Sequence, residues 1–322
     1  MNSTGTIRTA FVLGAGLGTR LRPLTLVRPK PLIPIFGKPL ITFALDHLSA
    51  VGIESFVINT HHLASHFEGL FKESSYSGRD VCLVYEPVLL ETGGGIKNAQ
   101  PWIGNDPFIV YSGDILTDID IQSLIQEHFR RENEVTLGLR KTGLAAGLSL
   151  SADGRVTAIG STPGQANYDF ANVSVWNPRV FERIPPGKKI SFIPILVDWL
   201  KAGGRIGGVV LNDGDWFNIG SREDYLAVHR TISERGWKPS FLKASDWPLK
   251  VSREASIART AHLSGSFAVG AGCVVEDRAI IEDSVLWENA RIKRHAILRG
   301  CVVAGSLVIS GRHENLDLTE PV

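Results

Sequence analysis

Up to about residue 230, short apolar runs alternate with segments that carry apolar residues at helical spacing. The runs Thr9–Leu13 and 55–59 are strongly apolar, which predicts buried β-strands. Between them, positions 39–51 place apolar side chains on one helical face and end before Gly52, which predicts an α-helix. The same criteria predict helices at 63–71 and 121–131 and strands at 81–85, 108–111 and 135–139. This alternation predicts an α/β fold, with a mostly parallel sheet and helices on both of its faces.

A different pattern begins beyond about residue 250, where aliphatic residues recur every six positions. The first phase of this repeat comprises Ile257, Leu263, Val269, Val275 and Ile281, and the second phase comprises Leu286, Ile292 and Leu298. A hexad repeat predicts a small left-handed parallel β-helix, in which each coil buries a few aliphatic side chains. An irregular β-rich appendage is the alternative. We therefore expect a catalytic domain at 1–235, a connector at 236–253 and a β-helix domain at 254–322.

A glycine-rich turn follows the first predicted strand, and a group of cations follows the turn. Gly14, Gly16 and Gly18 lack a Cβ, so backbone amides there can approach a phosphate chain closely. The cations that follow are Arg20, Arg22, Arg28 and Lys30, and Lys30 is flanked by two prolines. The stretch therefore predicts a site for a triphosphate.

Two common phosphate-binding motifs do not fit this stretch. The dinucleotide fingerprint requires a third glycine where this chain has Thr19, and it requires a long helix that Pro23 and the later prolines prevent. The P-loop pattern also fails, because Gly37-Lys38 is followed by Pro39 instead of Ser or Thr.

Composition and charge narrow the class of protein. The 322 residues are 43% hydrophobic and 21% charged, and the formal net charge is +1, which gives no reason to expect a nucleic-acid partner. No apolar run approaches the roughly 20 residues that span a bilayer, and the polar first nine residues do not form a signal peptide. The cysteines Cys82, Cys273 and Cys301 are too far apart for a zinc motif or a disulfide framework. We expect a cytoplasmic protein with no membrane partner.

Residues 14–32 closely resemble the signature of the sugar-1-phosphate nucleotidylyltransferases. That signature is G-x-G-T-R-L-x-P-L-T followed by P-K-P-L, and this chain matches it from the glycines through Thr25 and again at 29–32. The resemblance implies a Rossmann-like sheet of the nucleotide-diphospho-sugar transferase fold. It also implies an enzyme that transfers a nucleoside monophosphate from an NTP to a sugar 1-phosphate and releases pyrophosphate. Residues 281–292 resemble the β-helix tails of GDP-mannose and ADP-glucose forming enzymes.

The chemistry of this transfer requires positive charge more than a base, because the phosphate nucleophile is already an anion. By resemblance, Arg20 grips the β- and γ-phosphates and stabilises the departing pyrophosphate, and Lys30 reaches the α-phosphate. Asp114 matches the carboxylate that binds Mg²⁺ after a strand, with Asp118 and Asp120 as nearby competitors.

The second metal position departs from the family pattern. The segment 216–225 matches W-x-D-[IV]-G-[TS]-x-E-D, but Asn218 stands where relatives have an aspartate. An amide oxygen can still coordinate Mg²⁺, although it carries no charge and should bind more weakly. Asp213 and Asp215 are close enough in sequence to substitute.

The remaining site residues are assigned by resemblance. Besides Glu86, the expected nucleotide-binding residues are Gly14, Ala15, Gly16, Gly18, Thr19, Glu91, Thr92 and Gly93, and the expected sugar-binding residues are Gly94, Phe170 and Asn172. Glu86 is expected to read the base, and its two acceptor oxygens would favour guanine. The Glu-Lys-Pro clamp of many relatives is replaced by Ser161-Thr162-Pro163, and Lys189 or Lys141 could supply the missing cation.

We therefore expect GDP-mannose formation from GTP and mannose 1-phosphate. One alternative is a UTP-dependent N-acetylmuramate or hexosamine 1-phosphate uridylyltransferase. Residues 91–95 read E-T-G-G-G, which resembles the N-acetylmuramate enzymes and also some bacterial mannose-1-phosphate guanylyltransferases. The other alternative is a regulatory paralogue that binds nucleotide-sugar without turnover, which Asn218 and the missing clamp favour. The β-helix also predicts a homo-oligomer that assembles through the C-terminal domain.

Overall fold

The computed structural model describes residues 5–143, 147–160, 167–243 and 247–321. The chain divides into two compact units. We call the first, Met1–Gly16 with Ala44–Trp216, the α/β unit, and the second, Leu17–Phe43 with Phe217–Val322, the β-helix unit. The division falls inside the glycine-rich turn, so the signature segment contributes residues to both units.

The elements of the first 235 residues alternate much as the apolar pattern predicts. The strands are β1 Thr9–Leu13, β2 Pro34–Ile35, β3 Lys38–Pro39, β4 Ser55–Thr60, β5 Ser75–Tyr76, β6 Arg79–Tyr85, β7 Phe108–Ser112, β8 Ile115–Thr117, β9 Val135–Arg140, β10 Leu148–Leu150, β11 Val156–Ile159, β12 Asp169–Trp176, β13 Ile206–Val210 and β14 Trp216–Asn218. The α-helices are α1 Leu24–Val27, α2 Leu40–Ala50, α3 Ala64–Leu70, α4 Glu91–Asn98, α5 Gln100–Ile103, α6 Ile121–Arg130, α7 Phe192–Lys201 and α8 Arg222–Arg235. Short 3₁₀ turns lie at Thr19–Leu21, Lys30–Leu32 and Pro178–Glu182.

An eight-stranded sheet in the order β13-β9-β12-β7-β1-β4-β6-β5 forms the centre of the α/β unit. β1 pairs in parallel with β4 and β7, and the pairs β4–β6 and β9–β13 are also parallel. Consecutive residues Ala10, Phe11 and Val12 of β1 are all fully buried, so both faces of the sheet are covered. The predicted mostly parallel sheet with helices is confirmed. The pattern did not indicate that β12 would lie antiparallel between β7 and β9.

Side chains at the helix ends explain where the helices start and stop. The Asp120 carboxylate accepts from the Ser123 amide at 3.1 Å and caps α6. Ser221 and Asp224 form a capping box at the start of α8, which ends at Gly236 with φ of 62°. Residues 91–98, to which the apolar pattern assigned no helix, form the helix α4. None of the helices within the described ranges is long and apolar enough to cross a membrane.

The C-terminal residues form three four-stranded parallel sheets, consistent with a left-handed β-helix. The strands are β15 Ser256–Ile257, β16 His262–Ser264, β17 Ala268–Val269, β18 Val274–Val275, β19 Ile280–Glu282, β20 Val285–Leu286, β21 Arg291–Ile292, β22 Ile297–Arg299, β23 Val302–Ala304, β24 Val308–Ile309, β25 Arg312–Glu314 and β26 Asp317–Thr319. The aliphatic residues of both hexad phases pack into one core. The change of phase has a structural cause, because His262 pairs with Ile280 whereas Ala268 pairs with Val285, so the coil becomes one residue shorter at that corner.

Candidate active site

The C-terminal edge of the α/β sheet contains the crevice where ligands bind in this class of fold. Leu13, the last residue of β1, pairs with Ser112 of β7 on one side and with Asn59 of β4 on the other. The chain passes from β1 to β4 and β6 and then returns to β7 on the other side of β1, so the strand order reverses between β1 and β7. Such a switch point is the usual ligand site in open α/β sheets. Gly14 and Asp114, which come after these two strands, are therefore placed at its border.

Gly14 is held tightly by the chain. Its amide donates a hydrogen bond to Asn59 Oδ1 at 2.8 Å, and a Cβ built on Gly14 would lie 2.6 Å from the Asn59 carbonyl oxygen. The Gly14 amide is thus engaged internally, and a direct hydrogen bond from it to a phosphate does not fit this structure. Ala15 is buried, whereas Gly16 is exposed and a Cβ there would meet no atom within 4 Å. The open part of the turn begins at Gly16.

Glu86 is completely buried, which changes the role expected of it. Its Oε1 accepts from Asn59 Nδ2 at 2.8 Å, and its Oε2 accepts from the Leu90 amide at 2.9 Å. With 0% of the residue exposed, the carboxylate presents no oxygen to a nucleobase. The argument for guanine that rested on Glu86 therefore loses its support. Asn59 was not among the residues that the sequence singled out, although a polar residue ending an apolar strand is a detectable signal.

The glycines of α4 are needed for close packing. A Cβ on Gly95 would lie 2.8 Å from both Asn59 Nδ2 and Glu86 Oε1, and one on Gly94 would collide with the Lys188 carbonyl oxygen. A Cβ on Gly93 would lie 2.9 Å from the Ile190 carbonyl oxygen. Three successive glycines thus let α4 lie directly on its neighbours, a role that the ligand-based interpretation did not include.

The first turn of α4 also contacts the segment before α7. Thr92 Oγ1 accepts from the Phe192 amide at 3.0 Å. Glu91 is exposed, has a φ of 61°, and lies 3.9 Å from Lys189 Nζ. The predicted nucleotide contacts of Glu91, Thr92 and Gly93, and the predicted sugar contact of Gly94, stay predictions.

Phe170 and Asn172 lie at an irregularity of β12. The pairing of β12 with β9 shifts register between Phe170 and Ser174, and Asn172 adopts a left-handed φ of 62° that asparagine tolerates well. The Phe170 ring contacts the Phe192 ring edge-on, with 5.8 Å between the two ring centres. Lys141, one candidate for the missing cation, has its Nζ 5.5 Å from the centre of the Tyr168 ring. The clamp-equivalent residues 161–163 lie outside the described residues.

The acidic residues near Asp114 have different structural roles. Asp114 is partly exposed just after β7. Asp118 Oδ1 accepts from the Asp215 amide at 2.6 Å, and Asp120 caps α6, so both competitors contribute to local structure. Within the described ranges, no group of three or more His, Cys, Asp or Glu side chains is placed to hold a metal ion. The role of Asp114 as a metal ligand stays a prediction.

Arg140 organises the loop that precedes the second metal segment, and sequence analysis missed it. Its guanidinium donates to four successive carbonyl oxygens, which belong to residues Leu211, Asn212, Asp213 and Gly214. Thr117 Oγ1 donates to the Asp215 carbonyl oxygen at 2.7 Å. These contacts fix the backbone of residues 211–215 within the α/β unit.

In the β-helix unit, Arg20 lies beside the segment that contains Asn218. A Cβ on Gly220 would lie 3.2 Å from both terminal nitrogens of Arg20, so the guanidinium covers this glycine. The Gly220 amide donates to the Asn218 carbonyl oxygen at 2.9 Å and to Asp224 Oδ2 at 3.1 Å. Arg20 and Asn218 are both exposed. A predicted catalytic residue and a predicted metal ligand are therefore neighbours within one unit, and Thr19, next to Arg20, is also exposed.

Lys30 is packed against the second half of the glycine-rich turn. Gly18 has a left-handed φ of 59°, and Thr25 Oγ1 donates to its carbonyl oxygen at 2.9 Å. A Cβ on Gly18 would lie 2.8 Å from Thr25 Cγ2 and 3.1 Å from Lys30 Cβ, so only glycine fits there. Lys30 itself is buried in a 3₁₀ turn. Lys30 Cβ is thus packed directly against the turn.

Arg28 is engaged within the β-helix unit. Its Nη1 and Nη2 donate to the two carboxylate oxygens of Glu288 at 3.0 and 2.8 Å, and its guanidinium lies 4.8 Å from the centre of the Trp287 ring. Burial opposes ionisation of Glu288, but the hydrogen bonds and charge of Arg28 outweigh it and hold the Glu288 pKa below its ordinary value. This cation of the signature segment therefore has a structural role.

The chain resembles known proteins in sequence and in fold. The family model described as Nucleotidyl transferase matches residues 9–235. A mannose-1-phosphate guanylyltransferase from Mycobacterium tuberculosis is 32% identical over 302 residues, which cover 91% of this chain and 82% of that protein. An N-acetylmuramate alpha-1-phosphate uridylyltransferase from Caulobacter vibrioides is 33% identical over 241 residues, covering 70% of this chain and 97% of that protein.

A solved structure shows the same fold. The inositol-1-phosphate CTP transferase from T. maritima superimposes with a TM-score of 0.59 at 23% identity, covering 68% of this chain and 92% of that one. The resemblance inferred from residues 14–32 is thereby confirmed at the level of sequence and of fold. Since the family model spans most of the chain and the relatives above 30% identity agree with it, the chain belongs to the nucleotidyl transferase family.

Proposed function

We propose that this protein transfers a nucleoside monophosphate from an NTP to a sugar 1-phosphate, and that its substrates are GTP and mannose 1-phosphate. The observation that carries the choice of substrates is coverage by the relatives that are more than 30% identical. The match to the guanylyltransferase extends over 91% of this chain, whereas the match to the uridylyltransferase covers 70% of it while using 97% of that relative. The match to the guanylyltransferase thus includes a part of this chain that the match to the uridylyltransferase leaves out.

In the proposed reaction, a phosphate oxygen of the sugar 1-phosphate attacks the α-phosphorus in line. The P–O bond to the β-phosphate breaks, and pyrophosphate leaves with the bonding electrons. The nucleophile has no proton to lose at neutral pH, so the chain must mainly neutralise charge and position two anions. The exposed guanidinium of Arg20 supplies charge at the leaving group, and Lys30, whose backbone is restrained between prolines, supplies it near the α-phosphate. The open backbone at Gly16, where a Cβ would meet no atom within 4 Å, supports the phosphate chain.

Mg²⁺ is the proposed cofactor. A bound Mg²⁺ would neutralise phosphate oxygens and help the leaving group depart. Mg²⁺ prefers oxygen ligands and retains several waters, so it needs few protein ligands. The partly exposed Asp114 carboxylate and the exposed Asn218 amide oxygen are accessible donors of this kind, and we propose them as ligands. Because Asn218 carries no charge, Asp114 is the more important of the two.

The direct test is pyrophosphate release measured across the five common NTPs and the common sugar 1-phosphates, with Mg²⁺ present. The proposal predicts the highest kcat/KM for GTP with mannose 1-phosphate. A maximum for UTP with N-acetylmuramate or hexosamine 1-phosphate would replace the guanylyltransferase assignment by the uridylyltransferase one. Absence of release for every pair would refute both.

Asn218 favours a second candidate, a regulatory paralogue that binds nucleotide-sugar without turnover. This candidate predicts that nucleotide-sugars raise the melting temperature although no pyrophosphate is released, and that Asn218→Asp restores no activity. Measurable turnover gained by Asn218→Asp would contradict it.

For either candidate we propose a cytoplasmic location, which suits three cysteines that are all free thiols.

A further inference from the structure

Four groups of the α/β unit form a buried chain of hydrogen bonds, which we call the polar relay: the Gly14 amide, the Asn59 side chain, the Glu86 carboxylate and the Leu90 amide. Gly14 N–H donates to Asn59 Oδ1 at 2.8 Å, and Asn59 Nδ2 donates to Glu86 Oε1 at 2.8 Å. Leu90 N–H donates to Glu86 Oε2 at 2.9 Å. Asn59 is 2% exposed and Glu86 is 0% exposed. The relay joins the residue that follows β1, the end of β4 and the residue that follows β6 to the beginning of α4.

The polarity of this relay is determined by Glu86. Its two oxygens both accept hydrogen bonds, Oε1 from the side-chain donor Asn59 Nδ2 and Oε2 from the Leu90 amide. The Asn59 side chain must therefore turn its NH₂ group toward Glu86, which leaves its Oδ1 facing Gly14. If Asn59 turned the other way, an NH₂ group would face the Gly14 N–H and Oδ1 would face the carboxylate, and both contacts would be repulsive.

The consequence of this polarity lies in the glycine-rich turn. Since the Gly14 amide is bound to Asn59, the turn leaves β1 in one direction, and its open residues start at Gly16. We infer that Glu86 is a positioning residue, which acts through Asn59 to hold the turn and the start of α4 in the conformation that binds the nucleoside triphosphate. This inference rests on the proposed function, because it assigns the ligand of the turn.

An exchange of polarity tests the inference without changing the size or the net charge of the pair. In Glu86→Gln, the new NH₂ group faces a donor, either Asn59 Nδ2 or the Leu90 amide. In Asn59→Asp, two carboxylates face each other. In the double variant Glu86→Gln with Asn59→Asp, Leu90 N–H donates to Gln Oε1, Gln Nε2 donates to one Asp oxygen, and Gly14 N–H donates to the other. Every hydrogen bond of the relay is then restored with the donor and the acceptor exchanged between positions 59 and 86.

The readouts are the KM for each substrate, the Kd for GTP and for UTP with Mg²⁺ in the absence of sugar phosphate, and the melting temperature. Each single variant is expected to raise the nucleotide KM and Kd about tenfold or more, as opposed donors or charges in a buried site do. The sugar-phosphate KM should change by less than about twofold. The double variant should recover nucleotide binding to within about threefold of the wild type, which is strong coupling between neighbouring positions.

A control variant separates positioning from general loss of stability. Asn133→Ala removes another buried amide of the same unit, whose Nδ2 donates to Thr136 Oγ1 at 3.0 Å. It should lower the melting temperature and leave the Kd for nucleotide unchanged. If the Glu86 and Asn59 variants behave like Asn133→Ala, the inference is wrong.

Two further results would also overturn it. The first is a change in the preference for GTP over UTP in Glu86→Gln that persists in the double variant with Asn59→Asp. Such a change would show that Glu86 acts on the nucleobase itself. The second is a double variant that fails to fold, which would show that the matching of donors and acceptors is not the essential property. If the single variants fail to fold but the double variant folds and binds nucleotide, the relay is supported. Nucleotide binding is measured without turnover, so an inactive wild-type protein that still binds NTP would refute the proposed function and not this inference.

Discussion

Replacing Arg28 tests whether this cation of the signature segment supports structure or chemistry. In Arg28→Met the side chain keeps most of its length and loses its charge. Two charge-assisted hydrogen bonds to Glu288 would be lost, but 23% of the Arg28 side chain and 35% of the Glu288 side chain are exposed, so solvent screening limits the pair to about 1–1.5 kcal/mol. Stacking of the guanidinium 4.8 Å from the Trp287 ring adds about 0.5–1 kcal/mol. We expect a total loss of about 2 kcal/mol.

The assay is thermal and urea unfolding together with steady-state kinetics on the folded fraction. A loss of about 2 kcal/mol corresponds to a fall in melting temperature of roughly 3 °C for a chain of this size. Glu288→Gln should cost less, and the double variant should cost less than the two single losses added together, because the same pair is removed. Arg8→Met is the matched control, since its pair with Glu54 has side chains 71% and 63% exposed and should contribute little.

The pair also predicts how stability depends on pH. The folded-state pKa of Glu288 lies below its ordinary value of 4.5, so the carboxylate adds stability above pH 4.5 and this contribution disappears as the pH falls through the folded-state pKa. The difference in melting temperature between the wild type and Glu288→Gln should therefore be full at pH 7 and shrink below pH 4.5. A fall in kcat of tenfold or more in Arg28→Met, with unchanged stability, would refute the structural assignment and return Arg28 to the phosphate site.

Three other predictions concern activity and assembly. Arg20→Ala should lower kcat by about 10²-fold, because it removes charge at the leaving group, and should leave the melting temperature unchanged. Arg8→Ala is the control, and an equal fall in kcat in both variants would contradict the role of Arg20. Asp114→Asn should raise the Mg²⁺ concentration that gives half-maximal activity about tenfold or more in a metal titration, and an unchanged titration curve would remove Asp114 from the metal site. Val308, 63% exposed on the terminal strand of a β-helix sheet, should lie in a contact between copies of the chain. Val308→Glu should then reduce the mass measured by light scattering, and a monomeric wild type would refute this.

Elements with a local periodic pattern could be predicted from the sequence. β1 was predicted with the bounds Thr9–Leu13 that it has, because a compact apolar run bounded by polar residues has few other solutions. The hexad residues of the β-helix were identified for the same reason, and even their change of phase corresponds to a coil that is one residue shorter. By contrast, α4 contains three glycines and has little intrinsic preference for a helix. Contacts with residues about 100 positions away stabilise it, and no local pattern reports them.

The individual site residues came from the family resemblance, and their roles stay predictions. Arg20, Lys30 and Asp114 match positions of that signature, and the structure places Arg20 beside the Asn218 segment and Asp114 at the switch point. The partners that occupy other polar groups were not predictable. Glu86 is satisfied by Asn59, 27 positions away, and Arg28 by Glu288, 260 positions away. A charged residue in a motif therefore indicates a ligand only after its long-range partners within the chain are known.

The same reasoning applies to the glycines that made the sequence recognisable. A phosphate-binding turn needs glycine where the backbone approaches a ligand, and Gly16, with open space around it, meets that description. Gly14 and Gly95 meet a different requirement, because a Cβ on either would collide with Asn59. The Cβ on Gly14 would meet the Asn59 carbonyl oxygen, and the Cβ on Gly95 would meet the Asn59 side-chain amide. A buried hydrogen-bonded pair such as Asn59 with Glu86 cannot move aside without losing its partners. Close packing on the Asn59 backbone therefore requires glycine at position 14, and the polar relay requires it at position 95. Part of the glycine pattern of this chain thus supports the turn and α4, and the open backbone at Gly16 is the part left for the proposed triphosphate.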